Sequence, residues 1–175
     1  KNILEIAIPT YNRTLYLEKC LDSIIISLKR IPKEKRSSIG ISISDNSTKD
    51  FKNKQKLIEK YKKIFYSLNI SYFIFSKSGF NIGSVNNIAS VLSNSKSDYV
   101  WLLPDDDIAR YDSLESILLA IIKYNPSFIV GGWQQKSKIG YLDDKLKNDN
   151  GEQNSILSSH YENKKLDLFL SKNIV

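Results

Sequence analysis

The chain has 175 residues, enough for one domain, and 41% of them are hydrophobic, with 10 Tyr and 7 Phe to fill a core. Charged residues at 26% exclude a disordered chain, and one cysteine and one histidine exclude a disulfide framework, a cysteine-based zinc site and a multi-histidine metal site. The net charge of +7 is uneven, because residues 1–66 carry 15 Lys and Arg against 7 acids and the remainder carries 11 against 12. The excess falls on Lys29, Arg30, Lys33, Lys35 and Arg36, then on Lys49, Lys52, Lys54, Lys56, Lys60, Lys62 and Lys63. Such a patch suits peripheral contact with an anionic membrane, and its plain alternative is a solvated face. No apolar run reaches the roughly 18 residues that span a bilayer. No secretory leader is visible, and the first residue is Lys1, not Met. The expected location is cytoplasmic, with the inner face of the membrane as the peripheral site.

The first strand is predicted at Glu5–Pro9. Leu17, Cys20, Leu21, Ile24, Ile25 and Leu28 then recur at helical spacing, which makes Cys20 a buried helix residue. A second strand follows at Gly40–Ser44, and Phe51, Ile58, Tyr61 and Phe65 mark a second helix with lysines opposite. A third strand is predicted at Ile70–Phe75, and a third helix carries Val85, Ile88, Ala89 and Leu92. Tyr99–Leu103 is apolar without alternation, as a central parallel strand should be. Leu114, Ile117, Leu118, Ile121 and Ile122 form a fourth stripe, opened by a capping box of Asp112 and Glu115. Phe128–Val130 reads as a fifth strand. Residues 134–163 are polar and read as a long loop, with His160 on its surface, and Leu166–Leu170 opens a last helix. The strand starts lie about 30 residues apart, the length of a βαβ unit. The predicted fold is therefore an α/β/α sandwich, Rossmann-like, around a mainly parallel sheet.

In open sheets of this kind, ligands bind outside the carboxyl ends of the strands. Pro9-Thr10-Tyr11-Asn12-Arg13 follows the first strand, Asp45-Asn46-Ser47 the second, Asn81-Ile82-Gly83 the third and Pro104-Asp105-Asp106-Asp107 the fourth. All four clusters are expected on one edge of the sheet. Three adjacent carboxylates repel one another unless a cation neutralises them, and oxygen ligands select hard ions such as Mg²⁺ or Mn²⁺. Such an ion can bridge a diphosphate and stabilise its charge as it leaves. Turn capping explains one aspartate comfortably, but not three after a buried strand. Asp45 can accept a base N–H or a ribose hydroxyl, or close an Asx-turn with Asn46 and Ser47, and the two roles can coexist. Gly83 ahead of a helix allows close backbone approach, and the helix start favours a phosphate. Tyr11 can stack on a base and Arg13 can pair with phosphate.

As a set and in this order, Ile8-Pro9-Thr10-Tyr11-Asn12-Arg13, Ser44-Asp45-Asn46-Ser47, Asn81-Ile82-Gly83 and Leu103-Pro104-Asp105-Asp106-Asp107 resemble the family 2 glycosyltransferases over residues 3–135. The resemblance implies a GT-A fold and an inverting transfer from a nucleoside-diphosphate sugar to an acceptor hydroxyl. It implies that Thr10 and Asp45 hold the nucleoside, that the Asn81–Gly83 turn lies near it, and that the acidic cluster binds ribose and metal. The nucleotide-sugar set is then Pro9, Thr10, Tyr11, Asn12, Arg13, Asp45, Asn81, Gly83, Asn87 and Asp105. The metal set is Asp106 and Asp107, with Mn²⁺ or Mg²⁺ as cofactor. The sequence departs from the family pattern at Ser44, where many members have a first Asp, and at Asn86, where a basic residue is common. It departs again at Pro104, which stands at the first Asp of the usual Asp-x-Asp. That register makes Asp106 the metal ligand and turns Asp105 to ribose, whereas plain strand alternation groups Asp105 with Asp107.

The resemblance further implies a saccharide or lipid-linked acceptor and a role in surface polysaccharide or lipopolysaccharide synthesis. Residues 1–135 are expected to form the nucleotide-sugar-binding core, and residues 136–175 to begin a loop-rich, truncated acceptor-side region. The resemblance places the catalytic base in that second part, where Asp143, Asp144, Asp149, Glu152, Glu162 and Asp167 are the available acids and none follows a convincing strand; the alternative is a minimal enzyme that recruits Asp143 or Asp144 from the loop. The alternative is a nucleotide-binding regulatory or pseudo-enzyme module without transfer. A receiver-like phosphorylation domain would want an acidic pair after the first strand, where Thr10-Tyr11-Asn12 stands. No nucleic-acid-binding signature accompanies the basic residues, so a nucleic-acid partner is not expected.

Overall fold

The computed structural model describes residues 2–131. The expectations for residues 134–175, among them the long loop, His160, the last helix and the acids beyond Asp143, lie outside the described residues. Four strands, β1 (Leu4–Thr10), β2 (Ile39–Asp45), β3 (Tyr72–Lys77) and β4 (Tyr99–Leu102), alternate with helices α1 (Thr14–Lys29), α2 (Lys33–Arg36), α3 (Phe51–Ser67), α4 (Ser84–Ser93) and α5 (Ser113–Tyr124). The sheet is parallel throughout, in the order β3-β2-β1-β4. The predicted α/β architecture with a parallel sheet is the one observed.

The chain steps outward from β1 to β2 to β3 and then crosses back to β4. Because parallel crossovers are right-handed, the reversal moves the connecting helix to the opposite face. Helices α1, α3 and α5 therefore share one face, where α1 touches both of the others, and α4 packs across β1 and β2 on the other. Strand alternation serves both sides. Leu4, Ile6, Ile8, Ile39, Ile41 and Ile43 line the first face and are wholly buried. Phe65 of α3 stacks on Phe73 with ring centroids 5.6 Å apart.

The second face is small and polar, with Glu5, Ala7, Gly40 and Ser42 in register beneath Tyr72. The Tyr72 ring covers Gly40, and its hydroxyl donates to Glu5 Oε2 and lies 3.0 Å from Ser97 Oγ. Ser42 donates to Glu5 Oε1, and the Lys96 N–H donates to Oε2 at 3.0 Å. The buried Glu5 carboxylate is thus held by three donors at the end of the sheet remote from the strand-end clusters.

Several local expectations change. Ile70, expected in the third strand, instead closes α3, because Asn69 turns left-handed (φ 69°) and the Ile70 N–H reaches back to Phe65 O. The α4 stripe is rotated: Asn87 and Val91 are buried, while Val85 is 77% exposed. Asn87 Nδ2 donates to Thr10 O at 3.3 Å, and this polar contact, with Asn46 fixing the preceding turn, sets the face that α4 presents. Asp112 precedes α5 but makes no side-chain cap, because Arg110 takes both of its oxygens. The hydroxyl of Ser27, from α1, receives the Leu114 N–H at 3.0 Å instead. Phe128–Val130 forms no ladder among the described residues, where Ile129 is buried in the core and Phe128 packs against it. Cys20 is buried as expected.

Candidate functional site

The reversal of strand order falls between β1 and β4, and ligands of open α/β sheets bind at that point, outside the carboxyl ends. Thr10 ends β1 there, and its hydroxyl donates to Asp105 Oδ2 at 2.6 Å across the gap. Both residues are buried. Arg13, half-exposed, lies 3.5 Å from Asp105 Oδ1 and donates to Asp106 Oδ2. Burial pushes the Asp105 carboxyl above its ordinary range, against the opposing pull of Thr10 and Arg13. Asp107 is raised too, by burial and then by the charge of Asp106.

The strand β4 ends at Leu102, so alternation does not govern the aspartates. Residues 105 and 106 lie in a turn that the Asp107 N–H closes onto Pro104 O at 3.0 Å. The turn buries Asp105 and exposes Asp106 and Asp107 together, which corrects the pairing of Asp105 with Asp107.

The other clusters are tied to this one by short polar links. The Asn46 N–H donates to Thr10 O at 3.0 Å. Its side chain accepts the Ile82 N–H at 2.7 Å and donates to Asn81 Oδ1 at 2.7 Å. Asn81 Oδ1 in turn accepts the Gly83 N–H at 2.9 Å, and Gly83 takes φ 84°, a conformation that favours glycine, immediately before α4. Asn12, left-handed at φ 52°, accepts the N–H groups of Thr48 and Lys49 at 3.0 and 3.1 Å. Its own N–H donates to Ser47 Oγ at 2.7 Å. Asp45 forms the Asx-turn, accepting the Ser47 N–H at 3.0 Å on Oδ1. Pro9 lies within β1, and Tyr11 stands 40% exposed at the mouth. Asn87 is buried with Oδ1 unpartnered among the described residues.

The four strand-end clusters therefore meet in one hydrogen-bonded edge. Two members were not named as site residues from the sequence. Asn46 is the hub that joins β1, β2 and the turn before α4. Lys54, counted among surface lysines, is buried and lies 2.9 Å from Asp45 Oδ1. The signal for Lys54 was its position on the α3 stripe, at helical spacing from Ile58, Tyr61 and Phe65.

Among the described residues no three carboxylate, thiol or imidazole groups converge as a closed metal cage. Asp106 and Asp107 are adjacent, exposed carboxylates. That donor set suits a hard ion that draws its remaining oxygens from phosphate and water, as Mg²⁺ usually does.

The family model for glycosyl transferase family 2 matches residues 5–174. The chain belongs to that family. Abequosyltransferase RfbV of Salmonella typhimurium is 32% identical over 112 residues, 64% of this chain and 30% of the relative. An uncharacterized glycosyltransferase of Mycoplasma genitalium, MG060, is 34% identical over 105 residues, 60% of this chain and 32% of the relative. The chain thus spans about a third of the length of these curated relatives. Among solved structures, Staphylococcus aureus TarS 1-349 in complex with UDP has a TM-score of 0.63 at 18% identity, over 79% of this chain and 37% of that one. The mannosyltransferase PcManGT of Pyrobaculum calidifontis, in complex with GDP-Man and Mn²⁺, has a TM-score of 0.58 at 15% identity, over 72% of this chain and 34% of that one. These likenesses establish the GT-A fold. No described helix is long and apolar enough to cross a membrane.

Proposed function

We propose that this family 2 chain carries the donor-binding part of an inverting glycosyltransferase, which moves a sugar from a nucleoside diphosphate to an acceptor hydroxyl. The observation that carries the reading is the Thr10–Asp105 bridge at the strand-order reversal, flanked by Arg13 and by two exposed aspartates. Asp45 and Asp105 offer oxygens to base and ribose, Tyr11 offers a ring at the mouth, and the Asn81–Gly83 turn and start of α4 lie beside them for the diphosphate. Pro9 and Asn12 shape the loop, and Asn87 anchors α4 to β1. Asp106 and Asp107 would hold Mn²⁺ or Mg²⁺. A bound divalent ion supplies charge neutralisation for a departing diphosphate.

Both solved relatives named above were captured with a nucleotide, and one with Mn²⁺ as well. The likeness to an abequosyltransferase supports surface polysaccharide or lipopolysaccharide synthesis as the setting, with a saccharide or lipid-linked acceptor. Exposed lysines on α2 and α3 support peripheral contact with an anionic membrane at its cytoplasmic face.

Calorimetry with UDP, GDP, CDP and ADP, each with Mn²⁺ and with EDTA, tests the reading. At least one nucleotide should bind, and more tightly with Mn²⁺. Asp106→Asn and Asp107→Asn should each remove most of the Mn²⁺ dependence. Equal affinity with and without the ion for every nucleotide bound would overturn the metal role, and binding of none would overturn the donor site.

A further inference from the structure

Lys54 stands outside every motif that carries the family resemblance. It is 1% exposed on α3, yet its ammonium lies 2.9 Å from Asp45 Oδ1 and 2.5 Å from Ser47 Oγ. Burying an ammonium is costly unless it is paired and hydrogen-bonded, and a methionine would fill the same stripe position without that cost. One partner, Asp45, ends β2, and the other, Ser47, lies in the loop that follows. Ser47 Oγ also accepts the Asn12 N–H, so one lysine reaches the strand-end loops of both β1 and β2.

The bonds around Asp45 are one-sided. The Ser47 N–H and the Lys54 ammonium both land on Oδ1. Among the described residues neither of these donors uses Oδ2, the oxygen a ligand would reach on a carboxylate that is otherwise only 1% exposed. On β1 the register partner of Asp45 is Thr10, uncharged, whose hydroxyl is given to Asp105, itself faced by Arg13. On β3 the register partner is Lys77, whose ammonium lies 3.3 Å from the Phe51 ring centroid. Among the described residues, Lys54 is the cation in contact with Asp45.

We propose that Lys54 is a positioning residue for the donor nucleoside. It holds Asp45 as a fixed, acceptor-only carboxylate with one oxygen free for an N–H or O–H of the base or ribose. Through Ser47 it also sets the Asn12 turn alongside. The inference rests on Asp45 being a nucleoside ligand, as proposed above.

The test compares wild type, Asp45→Asn, Lys54→Met and Lys54→Gln by calorimetry with the nucleotide found to bind, in the presence of Mn²⁺. Folding of each variant is checked by circular dichroism. Asp45→Asn and Lys54→Met should each weaken binding by about tenfold or more, the loss expected for a hydrogen bond to a charged group. Lys54→Gln, which keeps a neutral donor, should fall between them and wild type. If Asp45→Asn binds like wild type, the nucleoside assignment of Asp45 fails, and this inference with it. If Asp45→Asn is weakened while both Lys54 variants bind within about twofold of wild type, the role of Lys54 alone is overturned. A Lys54→Met deficit that is unrelieved in Lys54→Gln shows a merely structural lysine and overturns it equally. Should neither Lys54 variant fold, the ¹⁵N signal of the Lys54 ammonium in wild type decides. A shift on nucleotide addition supports the role, and an unmoved signal refutes it.

Discussion

Replacing Gly40 by alanine places a methyl group inside the ring of Tyr72. An ideal Cβ at Gly40 would sit 2.1 Å from Tyr72 Cζ and 2.4 and 2.5 Å from the two Cε atoms. The ring has little freedom to slide, because its hydroxyl is bonded to Glu5 and lies 3.0 Å from Ser97 Oγ, while its backbone is paired with Gly40. Burial, then the bond to Glu5, pushes the phenol upward in pKa, so it remains a donor. Two costs combine. Overpacking a tight site costs about 1–3 kcal/mol. Displacing the ring deprives the buried Glu5 carboxylate of a donor, worth about 1.5–3 kcal/mol for a charged acceptor. Gly40→Ala should therefore lose about 3–5 kcal/mol, which in a chain of this size lowers Tm by roughly 10 °C. Urea and thermal denaturation followed by circular dichroism measure the loss. Tyr72→Phe isolates the second cost, and the double variant should lose less than the sum, since both changes break the same bond. A Gly40→Ala variant within about 1 kcal/mol of wild type, or strict additivity, would refute the reasoning.

Thr10→Val keeps the side-chain shape but removes the donor to buried Asp105, and should cost about 1.5–3 kcal/mol in urea denaturation; undiminished stability would mean that the strand-end bridge contributes nothing. Asp112 is held below the ordinary carboxyl range chiefly by Arg110, so its contribution is present above the unfolded value and lost as pH falls through the folded one. With Arg110 partly exposed, Asp112→Asn should cost under about 1 kcal/mol near neutrality and progressively less as acid protonates the carboxylate, and a loss that does not shrink in acid would contradict the pairing. In vesicle sedimentation with anionic lipid, wild type should bind at low salt and release at high salt, and replacing exposed Lys52, Lys56 and Lys63 by Ser should weaken binding at about 1 kcal/mol per lysine; no binding at low salt would leave α3 a solvated face.

Element type was legible wherever one physical cause dominated. The isoleucine-rich β1 and β2 and the Leu17–Leu28 stripe of α1 report a single environment, the face between sheet and helices. Legibility failed where a polar contact competed with the apolar pattern. Val85, Ile88, Ala89 and Leu92 form an acceptable stripe, but α4 is positioned by Asn46, Asn81 and Asn87, and periodicity does not register those bonds. Ile70 has the composition of a strand residue, yet left-handed Asn69 turns it into the last contact of α3. The capping box failed because Arg110, two residues upstream, outbids an uncharged N–H for the Asp112 carboxylate, and a serine on another helix takes up the free donor.

The site was legible as a set of strand ends and illegible in its internal pairing. Chain order alone placed residues 9–13, 45–47, 81–83 and 104–107 on one edge, because parallel strands put every carboxyl end there. What chain order does not convey is which charges neutralise one another. Thr10 and Asp105 are 95 positions apart, and Arg13 and Asp106 are 93 apart. Lys54 is nearer, nine positions from Asp45, and it was hidden by its company. Seven lysines lie between Lys49 and Lys63, and a run of like charges reads as solvated surface. The stripe distinguishes them: of these seven only Lys54 is buried, one turn from Ile58. A lysine in the apolar register of a helix that follows a strand ending in Asp is therefore a prediction of a buried pair. That pairing also removes one charge from the basic surface available to a membrane, so the electrostatic case for membrane contact rests on the exposed lysines alone.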